Sequence, residues 1–484
     1  MPSVMFANLF AALHWPSITG SLALINIALA VATISWILAI KREPTSALAW
    51  CLLVLFVPFL GCFLFVLFGY QSVHAPIRKK RRHAAEFRAR GAGVDERSDH
   101  VGYEGLAGLA VRLGAQPATI GNAVTVYDTG AETYEAMLDS IRQAKHHVHL
   151  QFFIVRSDES GIRFMQALAE RARNGVEVRF LFDAVGSWSL KRSVVDILTS
   201  ASGQARPFRT LSNPLRRRLQ INLRNHRKIL VVDGRVGFTG GFNLGDEYLG
   251  KNPFFGPWRD TFIRVEGPAV AGLQRVFTED WDFSADEELT TDAYFPVVPP
   301  MGPSTVQVAW SGPDQDSKMI REVYFAAIMR SRKRVWLTSP YFVPDAGILD
   351  ALCLAAHLGR DVRVLCPFRP DKWLALLAAR YYWAELLRAG GKVYQYTNGF
   401  IHAKTLLIDD EWASVGTANF DNRSLHLNFE VTCLIESPDV QAELERQFLR
   451  DLEVSIRLDP TVFARRPYIS KMAENASRLL SPIL

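Results

Sequence analysis

The stretch His226-Arg227-Lys228-Ile229-Leu230-Val231-Val232-Asp233 returns further along the chain as His402-Ala403-Lys404-Thr405-Leu406-Leu407-Ile408-Asp409. Residues two apart on a strand share a face, so each copy projects an imidazole and an ammonium together from an apolar strand. After six intervening residues each aspartate is followed by a small pair and an asparagine, Gly240-Gly241-Phe242-Asn243 and Gly416-Thr417-Ala418-Asn419. The repeat spreads outward from there. His147–Ile154 and Arg334–Phe342 read as buried strands, each followed by a helix, Ile162–Arg173 and Ile348–His357, and then by a strand, Val176–Phe182 and Val362–Cys366. Even the closing helices correspond: Pro268, Val270, Leu273, Phe277 and Asp280 echo Pro438, Val440, Leu444, Phe448 and Asp451. This alternation predicts an α/β fold made twice, in domains 105–290 and 305–484 that form a pseudo-dimer.

The chain's 484 residues suffice for two such domains beside an apolar N-terminal part. Apolar residues make up 49% and charged residues 21%, which excludes a largely disordered chain. Leu22–Ile40 is 19 residues without a charge, and Ala47–Phe68 is another 22, each long enough to cross a bilayer as a helix. Region 1–70 therefore reads as a transmembrane hairpin, its tip Lys41-Arg42-Glu43-Pro44-Thr45-Ser46, and 71–104 as a basic juxtamembrane linker. Arg78-Lys79-Lys80-Arg81-Arg82 outweighs the hairpin tip in cations, so the positive-inside rule places the large C-terminal part in the cytoplasm. The same five cations are placed either to set topology or also to grip anionic headgroups. A formal charge of +6 predicts anionic partners, membrane lipid or nucleic acid. The five cysteines, Cys51, Cys62, Cys353, Cys366 and Cys433, lack metal-like spacing and read as small buried hydrophobes.

If the two domains meet about a pseudo-twofold axis, His226, Lys228, His402 and Lys404 surround one small volume that suits a phosphodiester. One neutral imidazole attacks phosphorus, giving a phosphohistidine, while the other, protonated, donates to the departing alkoxide. Lys228, Lys404, Asn243 and Asn419 then stabilise charge on the non-bridging oxygens. The scheme calls for no cofactor and no metal, and no clustered carboxylates stand ready to hold one. The motif aspartates Asp233 and Asp409 are included among the catalytic candidates, although their offset of seven points them away from the histidine face. Asp260, in Trp258-Arg259-Asp260-Thr261, and Glu430, in Asn428-Phe429-Glu430, are the better candidates to orient the imidazoles. Which carboxylate serves which ring is open. The segment Trp373–Arg388 reads either as the lining of an acyl-chain entrance or as a core helix.

The paired motifs with their Gly-[Gly/Thr]-x-Asn extension resemble the phospholipase D superfamily over nearly all of 105–484. The N-terminal Ala47-Leu48-Ala49-Trp50 and Pro58-Phe59-Leu60-Gly61, Asn225-His226-Arg227-Lys228 and Gly240–Tyr248 resemble the bacterial cardiolipin synthases of the membrane-anchored, two-motif type. The resemblance implies two α/β/α sandwich domains and a transferase: a phosphatidyl group passes from phosphatidylglycerol to a histidine, glycerol leaves, and a second phosphatidylglycerol takes the group up, giving cardiolipin. It implies the bacterial inner membrane, His226 as nucleophile and no nucleic-acid partner; the oligomeric state is open. Gly241 departs from the pattern, which often has Ser there, and a weaker phosphate contact is expected in the first half. Rival readings are a hydrolytic phospholipase D, a phosphatidylserine synthase-like transferase, a nuclease using Arg216-Arg217-Arg218, Arg224 and Arg227, and a non-catalytic scaffold on anionic lipid. Both motifs are complete, which speaks against the scaffold.

Overall fold

Apolar runs of four residues after each His-x-Lys become strands because they are buried on both faces. Ile229 and Val231 enter one apolar cluster while Leu230 and Val232 enter another, and Leu407 is likewise separated from Leu406 and Ile408. The computed structural model describes residues 20–41, 44–69, 80, 82, 104–208 and 224–481. It comprises a helical N-terminal unit and a larger unit of Pro76–Ser212 and Ile221–Leu484.

In the larger unit, the strands of the first half are β1 (Thr119–Thr129), β2 (His147–Phe152), β3 (Glu177–Asp183), β4 (Gln204–Phe208), β5 (Ile229–Val232), β6 (Val236–Gly240) and β7 (Trp258–Glu266). The second half holds β8 (Ser304–Ser311), β9 (Arg334–Thr338), β10 (Phe342–Val343), β11 (Asp361–Pro367), β12 (Lys392–Tyr396), β13 (Phe400–Ile401), β14 (Thr405–Ile408), β15 (Trp412–Gly416), β16 (Phe420–Asp421), β17 (Glu430–Glu436) and β18 (Ser455–Arg457). From the centre outward the first half runs β1-β7-β6-β5-β2-β3-β4, and the second runs β8-β17-β15-β14-β9-β11-β12 before β18 closes the edge. The two orders are the same order. They join into one sheet where β1 pairs antiparallel with β8, Thr119 opposite Val306. The repeat read from the sequence is thus present strand for strand.

Helices Glu159–Arg173 and Ala346–His357 follow β2 and β10, and Val270–Ala285 and Pro438–Glu453 close the halves. Asp158 and Asp345 start the first two by accepting from Gly161 N–H at 3.0 Å and Ile348 N–H at 3.1 Å. Trp373–Arg388 is largely a core helix, burying Ala375, Ala378, Tyr382, Trp383 and Leu386, while its first turn lines a cleft with Tyr341 and Asp371.

In the N-terminal unit the first expected span is a single helix, Gly20–Ile40. The second is not. It runs Pro44–Phe56, breaks at Val57 (φ −136°, ψ 68°), and resumes as Pro58–Leu64 and a π turn, Phe65–Gly69. Pro58 causes the break, since its ring disfavours helical geometry at Val57 and it supplies no N–H. Gly61 completes the bend: a Cβ there would lie 2.7 Å from Leu53 O. Side chains of the first helix are described from Ile25 onward, and among the described residues no helix is long and apolar enough to cross a membrane. Cys62 packs against Thr33, Sγ to Oγ1 3.2 Å, and the cysteines are free.

Candidate active site

The two motif histidines are held by a reciprocal exchange between the halves. The segment before His226 runs alongside the segment before Glu430, so that His226 N–H donates to Phe429 O at 2.9 Å and the next carboxylate, Glu430, meets His226 Nδ1 at 2.9 Å. On the other side β13 pairs in parallel with the start of β7. His402 N–H donates to Arg259 O at 2.7 Å, and the next residue, Asp260, meets His402 Nδ1 at 2.7 Å. One backbone bond sets the register and the following residue supplies the carboxylate. Each imidazole is therefore oriented by the opposite half, Glu430 serving His226 and Asp260 serving His402.

A ring that donates Nδ1–H to a carboxylate keeps its Nε2 lone pair available. Both rings are deeply buried, and burial pushes His226 down to about 4 and His402 to about 3, against the opposing pull of Glu430 and Asp260. Lys228 and Lys404 are buried too; each donates from Nζ to the carbonyl of its own motif histidine, Lys228 at 2.7 Å. Burial lowers them to about 7 and about 8. The charge of Lys404 is felt at His226 and that of Lys228 at His402, so the motif groups of the two halves interact electrostatically. Phe153 lies edge-on to His226 at 4.9 Å and Trp258 tilts against His402 at 5.4 Å, excluding water from the outer ring faces.

Asn243 accepts from Ile154 N–H through Oδ1 at 3.1 Å, leaving its NH2 as the donor end. Asn419 is buried with Oδ1 unpartnered, and its side chain hydrogen-bonds Asp421. The two asparagines are thus not equivalent.

Asp233 and Asp409 are corrected from catalytic candidates to braces. Seven residues at about 3.3 Å rise separate each from its histidine by roughly 20 Å of strand. Asp233 is committed to the N–H groups of Lys145, His146 and His147 at 2.8–2.9 Å, and Asp409 to those of Arg332, Lys333 and Arg334 at 2.7–2.9 Å. Both stand at positive φ, 53° and 51°, where the strand turns back. They pin β5 to β2 and β14 to β9.

Gly241 has a steric reason that the sequence does not show. A Cβ on it would lie 1.9 Å from Asp260 Oδ1, so its smallness makes room for the carboxylate that orients His402. Its counterpart Thr417 donates to Glu430 Oε2 at 2.5 Å, and Asn428 to Oε1 at 3.2 Å. Neither partner was anticipated, because both depend on which half the carboxylate reaches.

Arg227 does not face the site. It turns inward to Asp280 at 2.7 Å and donates from Nε to Glu430 O at 3.2 Å. Asp280 also receives Asn225 and Gln151, both at 2.8 Å, and Lys80 at 2.9 Å. Lys80 reaches Asp314 at 3.0 Å as well; burial opposes its charge, yet the two carboxylates hold its pKa above the ordinary lysine value. Of the basic linker, then, Lys80 is an interior ion-pair partner and not a headgroup contact. Arg78, Lys79, Arg81 and Arg216–Arg218 lie outside the described residues. In the second half Asp451 binds Arg259 at 3.0 Å, and Arg259 donates to Asp260 O. The matched aspartates of the closing helices were visible in the repeat, but their arginine partners were not.

The family model described as "Cardiolipin synthase, PLD-like domain" matches residues 137–281 and 324–452. The chain belongs to the cardiolipin synthase family. A second model, "Phospholipase_D-nuclease N-terminal", matches residues 27–69, which cover the bent hairpin. Among relatives, the cardiolipin synthase of Geobacillus thermodenitrificans (strain NG80-2) is 41% identical over 467 residues, 95% of this chain and 93% of that one. The major cardiolipin synthase ClsA of Bacillus subtilis (strain 168) is 38% identical over 464 residues, 92% of this chain and 95% of that one. Among solved structures, the phosphatidylserine synthase of Haemophilus influenzae Rd KW20 superposes with a TM-score of 0.58 at 14% identity, over 78% of this chain and all of that one. That likeness concerns the fold alone. Membership in the cardiolipin synthase family makes the chain a phosphatidyltransferase of the phospholipase D superfamily.

Proposed function

We propose that this protein makes cardiolipin from two molecules of phosphatidylglycerol, using His226 as nucleophile and His402 as acid and then base. The observation that supports the reading is the reciprocal pairing, in which each half's carboxylate holds Nδ1 of the other half's motif histidine and leaves its Nε2 free to react, in a chain 41% identical to a cardiolipin synthase. His226 Nε2 attacks phosphorus, the bond from phosphorus to glycerol oxygen breaks, and that oxygen takes the proton of His402. A hydroxyl of the second phosphatidylglycerol then gives its proton to His402 as its oxygen takes phosphorus from His226. Lys228, Lys404, Asn243 and Asn419 bear the non-bridging charge. The domain limits are proposed as 105–290 and 305–484. The hairpin is proposed to anchor the chain in the bacterial inner membrane with these domains on the cytoplasmic side.

Full-length protein given labelled phosphatidylglycerol is expected to yield cardiolipin and free glycerol in equal amounts. Phosphatidic acid as the main product at every substrate density would instead favour hydrolysis.

Burial holds both imidazoles below their ordinary range in the empty site, so the proton that His402 must donate is to be taken up from solvent as the substrate anion binds. A phosphodiester anion set between the rings raises the affinity of one of them for a proton. Binding of a short-chain phosphonate analogue, with carbon in place of the leaving oxygen, should therefore take up about one proton. Its Kd should rise about tenfold per pH unit from about pH 4 up to the raised pKa of the bound ring, with a further rise where Lys228 and Lys404 discharge near 7 and 8. Calorimetry in buffers of different ionisation enthalpy measures the uptake; no uptake would mean that the ring keeps one protonation state throughout and that binding does not charge His402.

A further inference from the structure

The helix Tyr468–Arg478 is amphipathic the wrong way round for a helix packed on a protein core. Glu474 and Ser477 face inward, with Ser481 just beyond, while Tyr468 is 77% exposed, Ile469 76%, Met472 53% and Leu479 74%. The inward polar groups are satisfied: Glu474 binds Arg380 and Arg466, both at 2.8 Å, and Ser481 meets Tyr382 Oη at 3.1 Å. A helix fastened through its polar face offers its apolar face outward, as interfacial helices do. We propose that this face, continuing through Leu479 and Leu480, docks on a bilayer carrying anionic lipid.

Charge selects that occupant. Val454–Ser481 contains the cations Arg457, Arg465, Arg466, Lys471 and Arg478 against only Asp459 and Glu474. Asp459 is spent capping the helix Pro460–Ala464, and Glu474 is spent on its two arginines. The charge remaining around the apolar face is positive, which favours anionic headgroups at the depth where apolar side chains insert. The helix is braced on Trp373–Arg388, whose first turn lines the cleft with Tyr341 and Asp371, and the charge of Asp371 is felt at Lys404. A contact with lipid at this helix would therefore bring the helix that lines this cleft near the surface that holds the substrate. The inference rests on the lipid-transferase reading above and adds to it a second membrane contact, separate from the hairpin.

The test uses the full chain in phosphatidylcholine vesicles with or without phosphatidylserine, each carrying a photoactivatable lipid, and maps adducts by mass spectrometry. Adducts on Tyr468–Leu480, enriched several-fold by phosphatidylserine, are expected. Ile469→Asp with Met472→Asp, both at exposed positions, should remove those adducts and slow turnover of bilayer phosphatidylglycerol at least tenfold. The same variant should keep wild-type turnover of a short-chain, monomerically soluble donor. No adducts on this helix, equal loss on both substrates, or crosslinks from this face to a second copy of the chain would overturn the proposal. If the wild type turns over neither substrate, the transferase reading fails, whereas the adduct map still decides the docking.

Discussion

His226→Ala is expected to leave no covalent phosphatidyl-enzyme, even with a donor whose leaving group needs no proton. The remaining His402 has its Nε2 lone pair, but in the proposed geometry it stands on the leaving-group side of phosphorus and cannot attack in line. His402→Ala should behave differently. With phosphatidylglycerol the first step should slow by roughly 10²- to 10⁴-fold, the amount general acid catalysis supplies. With an activated donor, such as a p-nitrophenyl phosphodiester, His226 should still be labelled, and the label should persist because no base remains to activate the acceptor. Alkaline quenching followed by mass spectrometry of the histidine peptides reads both outcomes. A label on His402 in the His226→Ala protein would reverse the two roles. Glu430→Gln and Asp260→Asn extend the test, since each should act through the ring of the other half: the first should impair labelling with any donor, the second chiefly with the poor leaving group.

The second large effect is expected on stability. Asp280→Ala removes the carboxylate that two buried cations share, Lys80 at 2.9 Å and Arg227 at 2.7 Å, and strands the amides of Asn225 and Gln151. Breaking a buried pair from one side costs about 3–5 kcal/mol, because the surviving charge stays in a poorly polarisable interior. Lys80→Met should cost less, since Asp280 keeps Arg227 and both amides and the one carboxylate that loses its cation, Asp314, is the member of the network nearest to solvent. Denaturant midpoints of the detergent-solubilised protein should fall in that order. Equal midpoints for Asp280→Ala and wild type would mean that water reaches the two cations and that the network does not hold the site. Activity should fall in Asp280→Ala beyond what unfolding explains, because Arg227 also carries the carbonyl of Glu430.

How far this could be read in advance follows from the range of the interactions. His226 with Lys228 and His402 with Lys404 were legible because a period of two is local, and the duplicated order of strands was legible because the same apolar runs recur. Asp260 and Glu430 were legible as types but not as partners, since the choice of ring depends on how β13 meets β7 and how Asn225 meets Phe429. Asp233 and Asp409 carried the motif pattern, yet their work is to hold backbone N–H groups of a neighbouring strand, which spacing alone does not reveal. Lys80 looked like one of five surface cations, and only the buried carboxylates of Asp280 and Asp314 distinguish it. Pro58 was quoted within an apolar run whose hydropathy concealed its backbone effect.

The crossed pairing of carboxylate and imidazole has a consequence for how such a chain can change. A substitution at Glu430 is felt at His226, and one at Asp260 at His402, so neither copy of the repeat can drift while the other preserves function. Duplication usually frees one copy to diverge. Here it binds the two into a single mutational target, in which each half is the guarantor of a histidine it does not contain.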